Sequence, residues 1–386
     1  MSERGRDTTD LLTRREFLEA TGAAASLAAL GLGCDDPAGG VTRDQGGAAV
    51  ADGGADGGED LSIPQGKAVV GIAHRDNVEE AVRRAITLAG GLTIIEAGQT
   101  VFIKPNAVHP YVQGFSGVVT SSAVLAAVVR AVKERKPSRI VVGDRSARGF
   151  STDLAFSNTG LRDAALEAGA DEVFAALPPA DAPDDWLLLQ PPAWEETWKE
   201  KGGILAMRRI VESDHLIDLP VCKDHRWAVF SLSMKNLIGA VGDDSRDFMH
   251  YKSRMPNRLS RDVAILNQMF TPTLSIIDAW DSVINGGPEG ILGDAVRVEP
   301  RLILASRDRL ALDAAGASLL ALELGRTKVP QPDEAYAFLT AGKSPWSLPQ
   351  IVHGVERGLG VDGPNRAILR FDDVADAAAL EKIFRS

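Results

Sequence analysis

From residue 67 onward, short apolar runs alternate with stretches of helical periodicity. The runs Ala68–Ala73, Val101–Ile103, Arg139–Val142, Glu172–Ala176, His215–Leu219, Leu274–Ile277, Leu302–Ala305 and Ala367–Phe371 are brief and mostly bounded by polar or turn-forming residues. Most are rich in Val, Ile and Leu, so they read as buried strands. Between them, apolar positions fall at three- and four-residue spacing over Val78–Leu88, Ser122–Lys136, Leu161–Ala168, Arg258–Met269 and Arg309–Leu324. Further helices are predicted near Ala335–Thr340, Leu348–Gly358 and Ala375–Phe384. Thr120-Ser121-Ser122 supplies cap residues for the second helix, and Pro137 closes it.

This alternation predicts an α/β fold: an open parallel or mixed sheet with helices on both faces, a three-layer sandwich. One large domain over residues 63–386 accounts for it, and no short internal repeat is present. Pro178–Gly203, rich in Pro, Trp, Asp and Glu, breaks the pattern and reads as a long loop or insertion.

Composition narrows the function. The chain has 386 residues, 45% hydrophobic and 25% charged, which are ordinary globular values. A formal net charge of −11 argues against a nucleic-acid partner, which needs a surplus of Lys and Arg. The 5% of aromatics also argue against a stacking platform for single strands. Two cysteines provide neither a disulfide framework nor a four-thiolate cluster.

The first 34 residues read as an address. Thr13 to Leu18, T-R-R-E-F-L, resembles the twin-arginine export signal, and the small, weakly apolar Ala20–Gly33 is too short to span a bilayer. The other reading is an ordinary amphipathic N-terminal helix. Cys34 follows Leu30-Gly31-Leu32-Gly33, which resembles a permissive lipobox with Gly31 where Leu is more usual. Two readings stand: a lipidated Cys34, or simple peptidase cleavage. The expectation is an exported chain, periplasmic or lipid-anchored to the cell envelope, with the twin-arginine machinery and the membrane as partners. Residues 35–62, mostly Gly, Ala and Asp, cannot bury enough surface to offset their ordering entropy, and read as a flexible tether.

Ligands of open α/β sheets bind beyond the carboxyl ends of the strands. Here Val101–Ile103 ends in Lys104-Pro105-Asn106, and Arg139–Val142 in Gly143-Asp144-Arg145. His215–Leu219 leads to Lys223 and His225, Leu274–Ile277 to Asp278 and Asp281, and Leu302–Ala305 to Ser306-Arg307-Asp308. Any one of these is explained by capping or turn formation; together they predict a single crevice. Lys223 and His225, two apart, share a side in extended backbone. Lys235 and Asn236 follow the apolar alternation of Val229–Met234, where a lysine either snorkels or is desolvated. Gly286-Gly287-Pro288-Glu289-Gly290 is either a turn or an amide nest for an anion. Cys222 is either a small buried apolar residue or a thiol activated by Lys223 and His225. His225, His250, Asp278 and Asp281 offer mixed nitrogen and oxygen ligands, but no dense ligand motif supports a metal and none is assigned. Lys252–Arg261 reads as a solvated helix start or the rim of an anion site.

Several motifs resemble, in order, the family called domain of unknown function 362. They are K-P-N at Lys104, L-P-x-x-K-x-H from Leu219 to His225, M-K-N-L-I-G from Met234 to Gly239, an Asp278-led segment ending G-G-P-E-G at Gly290, and R-L-A-L-D from Arg309 to Asp313. The match spans roughly Lys104 to Gly316. Members are often fused to a ferredoxin-like module with CxxC repeats; this chain has none, so an iron–sulfur role does not carry over. The resemblance implies a fold and a site but no reaction.

The expectation is a small anionic ligand or an unidentified cofactor held by Lys104, Asn106, Asp144, Lys223, Asn236, Gly286 and Gly287. If the site is enzymatic, His225 acts as acid or base, Lys235 and Lys104 stabilise charge, and Asp278 orients one of them. The rival reading is a non-catalytic binding or assembly module whose lysines hold a partner's carboxylates.

Overall fold

The computed structural model describes residues 61–110, 117–191, 196–251, 256–287, 295–327, 339 and 342–386. The export signal, Cys34, nearly all of the tether, Pro288-Glu289-Gly290 and all but Leu339 of the helix expected near Ala335–Thr340 lie outside them.

The described chain is an α/β sandwich around one mixed sheet of eleven strands. Its main path runs β13 (Ala367–Asp372), β1 (Ala68–His74), β12 (Leu302–Ser306), β10 (Leu274–Ile284), β7 (His215–Leu219), β2 (Thr100–Pro105), β3 (Arg139–Asp144), β4 (Glu172–Ala175). The segment β7-β2-β3-β4 is parallel throughout. Beyond β7, β8 (Val221–His225) runs parallel to the far part of β10 and pairs antiparallel with β9 (Val229–Ser231). A short β11 (Val296–Val298) pairs with the end of β10.

Strand side chains alternate between two cores, as pleating requires. Val101, Ile103, Ile140 and Val142 pack against α1 (Val78–Leu88), α2 (Ser122–Lys133) and α4 (Leu161–Ala168). Phe102, Val141, Leu216 and Leu304 face the other core, with α9 (Pro256–Leu266), α10 (Arg309–Thr327), α11 (Pro349–Glu356) and α12 (Ala377–Phe384). This is the expected three-layer arrangement. The remaining helices are α3 (Thr152–Asn158), α5 (Glu196–Lys201), α6 (Arg208–Val211), α7 (Ser233–Asn236) and α8 (Asp243–Tyr251).

Three findings depart from the sequence reading. First, Pro178–Gly203 is not a bare loop. It carries β5 (Trp186–Leu189) and α5, and β5 pairs antiparallel with β6 (Ile204–Met207) in a separate two-stranded sheet. That sheet is fastened to the chain entering α8: Gly242 N donates to Leu205 O (2.9 Å), and Leu205 N to Ser245 Oγ (3.2 Å). Second, β12 is antiparallel to both of its neighbours. Its carboxyl end therefore points away from those of β2, β3 and β7, and Ser306-Arg307-Asp308 is removed from the expected crevice. Asp308 instead caps α10, accepting the amides of Leu310 (3.0 Å) and Ala311 (2.9 Å). Third, β10 continues to Ile284, so Asp278 lies within the strand and not at its end.

Candidate functional site

Lys104, Pro105 and Asn106 leave β2 beside Asp144 and Arg145, which leave β3; parallel pairing brings the two ends level. The β8–β9 hairpin and the short α7 close one side, and α8 closes another. A cavity of about 280 Å³ opens where they meet. That is near the lower limit of small-molecule sites, roughly 300 Å³, so it suits a compact ligand.

The wall is polar and linked by hydrogen bonds. Lys104 and Asp144, both almost fully buried, form an ion pair at 2.7 Å. Asp144 also accepts the amides of Ala107 (2.7 Å) and Arg145 (2.8 Å), so its carboxylate is held from three directions. Lys104 Nζ donates to Asn236 Oδ1 (3.4 Å), which also accepts Asn106 Nδ2 (3.1 Å). Asn106 Oδ1 in turn accepts Lys223 Nζ (3.4 Å), and Lys223 also donates to Val118 O. Asn236 Nδ2 reaches Asp218 Oδ1 at 2.8 Å. Burial pushes the Asp218 carboxyl up to about 6, against the pull of Lys104.

The lysine and amide of α7 are set by buried groups behind them. Asp313 on α10 accepts the amides of Ser233 (2.8 Å) and Met234 (3.1 Å), and Asn267 Nδ2 donates to Met234 O (2.8 Å). Burial pushes Asp313 up to about 8, although both amides favour its ionised form. Lys235 and Asn236 therefore project from a one-turn helix fixed at its start, and both line the cavity. Gly239 completes the wall. A Cβ there would lie 2.1 Å from Asp144 Oδ1 and 2.5 Å from Lys104 Nζ, so only glycine lets the ion pair come this close.

His225 ends β8, and its Nδ1 accepts the amides of Trp227 (3.1 Å) and Ala228 (3.2 Å). Burial first, then nearby positive charge led by Lys235, hold its pKa well below the usual histidine range. His250 on α8 lies 2.8 Å from Arg246 O through Nδ1. Burial, then Lys235, push it down to about 3. Both rings are thus neutral at physiological pH. Trp227, 42% exposed, stands at the lining's outer part with the exposed Arg148.

Of the residues singled out by sequence, Lys104, Asn106, Asp144, Lys223, His225, Lys235 and Asn236 line this one cavity. Asp278, Gly286 and Gly287 do not. Asp278 accepts the amides of Ser121 (2.7 Å) and Trp280 (3.0 Å), so it secures the start of α2 and its own strand. The glycine turn does hold a carboxylate, but the chain's own: Gly287 N donates to Asp224 Oδ1 (2.8 Å), and Asn285 N donates to Oδ2. A Cβ on Gly287 would fall 1.8 Å from Asp224 O, leaving no room there for a ligand. Cys222 is fully buried and its thiol is pushed up to about 12 by burial, so it is the apolar filler and not an activated thiol. Arg258 and Arg261 are exposed on α9 and take no part in the wall, and Lys252 lies outside the described residues. Among the described residues, no group of three or more His, Cys, Asp or Glu could hold a metal ion.

Sequence reasoning placed Arg145 at a converging strand end without giving it a role, and missed Arg246 and the part played by α8. Arg246 donates to Val241 O (2.9 Å), Ser146 O (2.5 Å) and Arg145 O (2.6 Å), tying α8 to the end of β3. Arg145 pairs with Asp243 (3.0 Å), while its Nε is buried without a hydrogen-bond partner. The available signal was the Arg246–His250 spacing of four, which puts both on one helical face.

A family model described as a domain of unknown function (DUF362) matches residues 101–318, more than half of the chain. The chain belongs to this family. Every wall residue named above falls within the match. The chain is also similar to a thylakoid-associated protein of Synechocystis sp., 25% identical over 248 residues, covering 63% of this chain and 70% of that one. Among solved structures, a lactate racemase apoprotein from Thermoanaerobacterium thermosaccharolyticum aligns over 84% of this chain and 88% of its own, with a TM-score of 0.38 and 12% identity. A crystal structure of a Thermotoga maritima protein aligns over 54% of this chain, with a TM-score of 0.33 and 12% identity; the chain spans half of that protein's length.

Proposed function

We propose that this chain is exported by the twin-arginine route, is held at the cell envelope through a lipid on Cys34 and a spacer over 35–62, and binds a small anionic ligand or cofactor in its crevice. An acid/base step on that ligand falls to His225, with Lys235 and Lys104 stabilising charge.

One observation carries the ligand reading. In a chain of net charge −11, the cavity gathers six cationic side chains (Lys104, Lys223, Lys235, Arg145, Arg148 and Arg246) against two carboxylates, Asp144 and Asp247. Both carboxylates are already engaged, by Lys104 and Arg148 respectively. Most of these cations are buried, and cations withdrawn from water attract an anion more strongly than exposed lysines do. The small volume favours a compact molecule over a protein segment.

Calorimetric titration with inorganic phosphate tests the reading. Losing a hydrogen bond to a charged group costs about 1.5–3 kcal/mol, so Lys235→Ala should bind phosphate at least about tenfold more weakly than the unaltered chain. Equal affinity in the two proteins would remove the crevice as the binding site.

A further inference from the structure

The two histidines of the cavity are held in opposite protonation patterns by the backbone. In His225, Nδ1 accepts two amide N–H groups, from Trp227 (3.1 Å) and Ala228 (3.2 Å). A ring nitrogen that accepts cannot carry the proton, so in the neutral ring the proton is on Nε2. In His250, Nδ1 faces the carbonyl of Arg246 at 2.8 Å. A carbonyl only accepts, so Nδ1 carries the proton there and Nε2 keeps its lone pair. Each ring is thus anchored through Nδ1, which leaves Nε2 as the atom to meet a ligand. Both rings line the same cavity, and the Lys235 charge acts on both.

We infer that His250 is the proton acceptor of this cavity and His225 a proton-bearing donor, and that the site takes a small carboxylate or phosphate ester whose C–H next to a carbonyl is ionised. The inference rests on the anion reading above and goes further, because it gives the base role to a residue on α8 and the donor role to His225. The step balances within the site. The C–H bond of the ligand breaks and its proton forms an N–H bond at Nε2 of His250, leaving an imidazolium. The electron pair moves to the carbonyl oxygen, which becomes an enolate oxygen and accepts from His225 Nε2–H and from the Lys235 ammonium. Return of the proton from His250 reverses the step, so no oxidant or reductant is needed. A bound anion would also favour the transfer. With the cavity empty, burial and the charges of Lys235 and Arg246 disfavour an imidazolium at His250; an anion beside these cations offsets them.

Nitrogen-15 NMR on the full chain with labelled histidine tests this, with His225→Gln and His250→Gln used to assign the two rings. The probes are inorganic phosphate and acetate, which separate a phosphate ligand from a carboxylate one. In the free protein at neutral pH, His250 should carry its proton on Nδ1 and His225 on Nε2. Saturation with whichever probe binds should raise the His250 midpoint by about one pH unit or more. A proton on Nε2 of free His250 would overturn the assignment, as would a His250 midpoint that stays put while the bound anion shifts the Lys235 signals. If neither probe binds, the anion reading fails, while the tautomers of the free protein still uphold or overturn the roles given to the two rings.

Discussion

Gly239 stands where no side chain fits. Its hydrogen points at the Lys104–Asp144 pair, and a methyl group would overlap both charged groups. Gly239→Ala should therefore push the pair apart and destabilise the fold by about 1–3 kcal/mol, a typical cost of overpacking, as read by chemical denaturation. An unchanged midpoint would mean the pair can yield at no cost. His250 gives a pH signature. Its folded value, about 3, lies below the 6.5 of an unperturbed ring, so the neutral form is favoured on folding. The stability this contributes is present above about pH 6.5 and is lost as pH falls toward 3. Between pH 7 and pH 4 the unaltered chain should thus lose more stability than His250→Gln, by roughly 3 kcal/mol in paired melting curves. Parallel losses would show that His250 is not held neutral. At this scale much of the site was legible: Lys104, Asn106, Lys223, His225, Lys235 and Asn236 stand in short motifs at strand ends or beside glycines, and all reach the cavity. For Asp278 and Gly287 the sequence offered both a structural and a ligand reading and did not separate them. A strand-end carboxylate and a glycine turn look the same whether they meet a ligand or, as here, backbone amides and Asp224.

The elements of the wall differ in how the chain supports them. The one-turn α7 is too short to persist by helix propensity and relies on Asp313 and Asn267 for its place. The α8 helix relies on its neighbours instead. Trp198 on α5 is fully buried, meets Phe248 of α8 edge-on with ring centroids 4.7 Å apart, and donates to Asp262 Oδ1 on α9 (3.3 Å). Removing this ring leaves a large void, so Trp198→Ala should cost about 3–5 kcal/mol. It should also weaken phosphate binding, although Trp198 does not line the cavity, because α8 carries Arg246 and His250. Full affinity in a folded Trp198→Ala protein would show that α8 keeps its place without the excursion. Pattern alone predicted most strands and the long helices because buried parallel strands read as continuous apolar runs. It gave no strand direction, so β12 was counted with the converging ends although it runs the other way. The α8 segment has few apolar residues and opens on the acidic Asp243-Asp244, which masked it as a helix with one functional face.

At the scale of the whole molecule, an acidic protein surrounds a basic hollow. The chain carries −11, while the cavity sets six cations against two carboxylates. No described helix is long and apolar enough to cross a membrane. The layer order was foreseeable from the alternation of strands and helices; the two-stranded sheet that braces α8 was not, because its short strands lie in and beside a Pro- and Trp-rich stretch that reads as loop. The central claim is that a small anion occupies the crevice. Native mass spectrometry of the protein purified from the envelope of its own cells tests it most directly, with Lys235→Ala alongside. The account predicts a small acidic molecule retained by the unaltered chain and lost from Lys235→Ala. A clean ligand-free mass for the unaltered chain, with a protein partner co-purifying in its place, would contradict it.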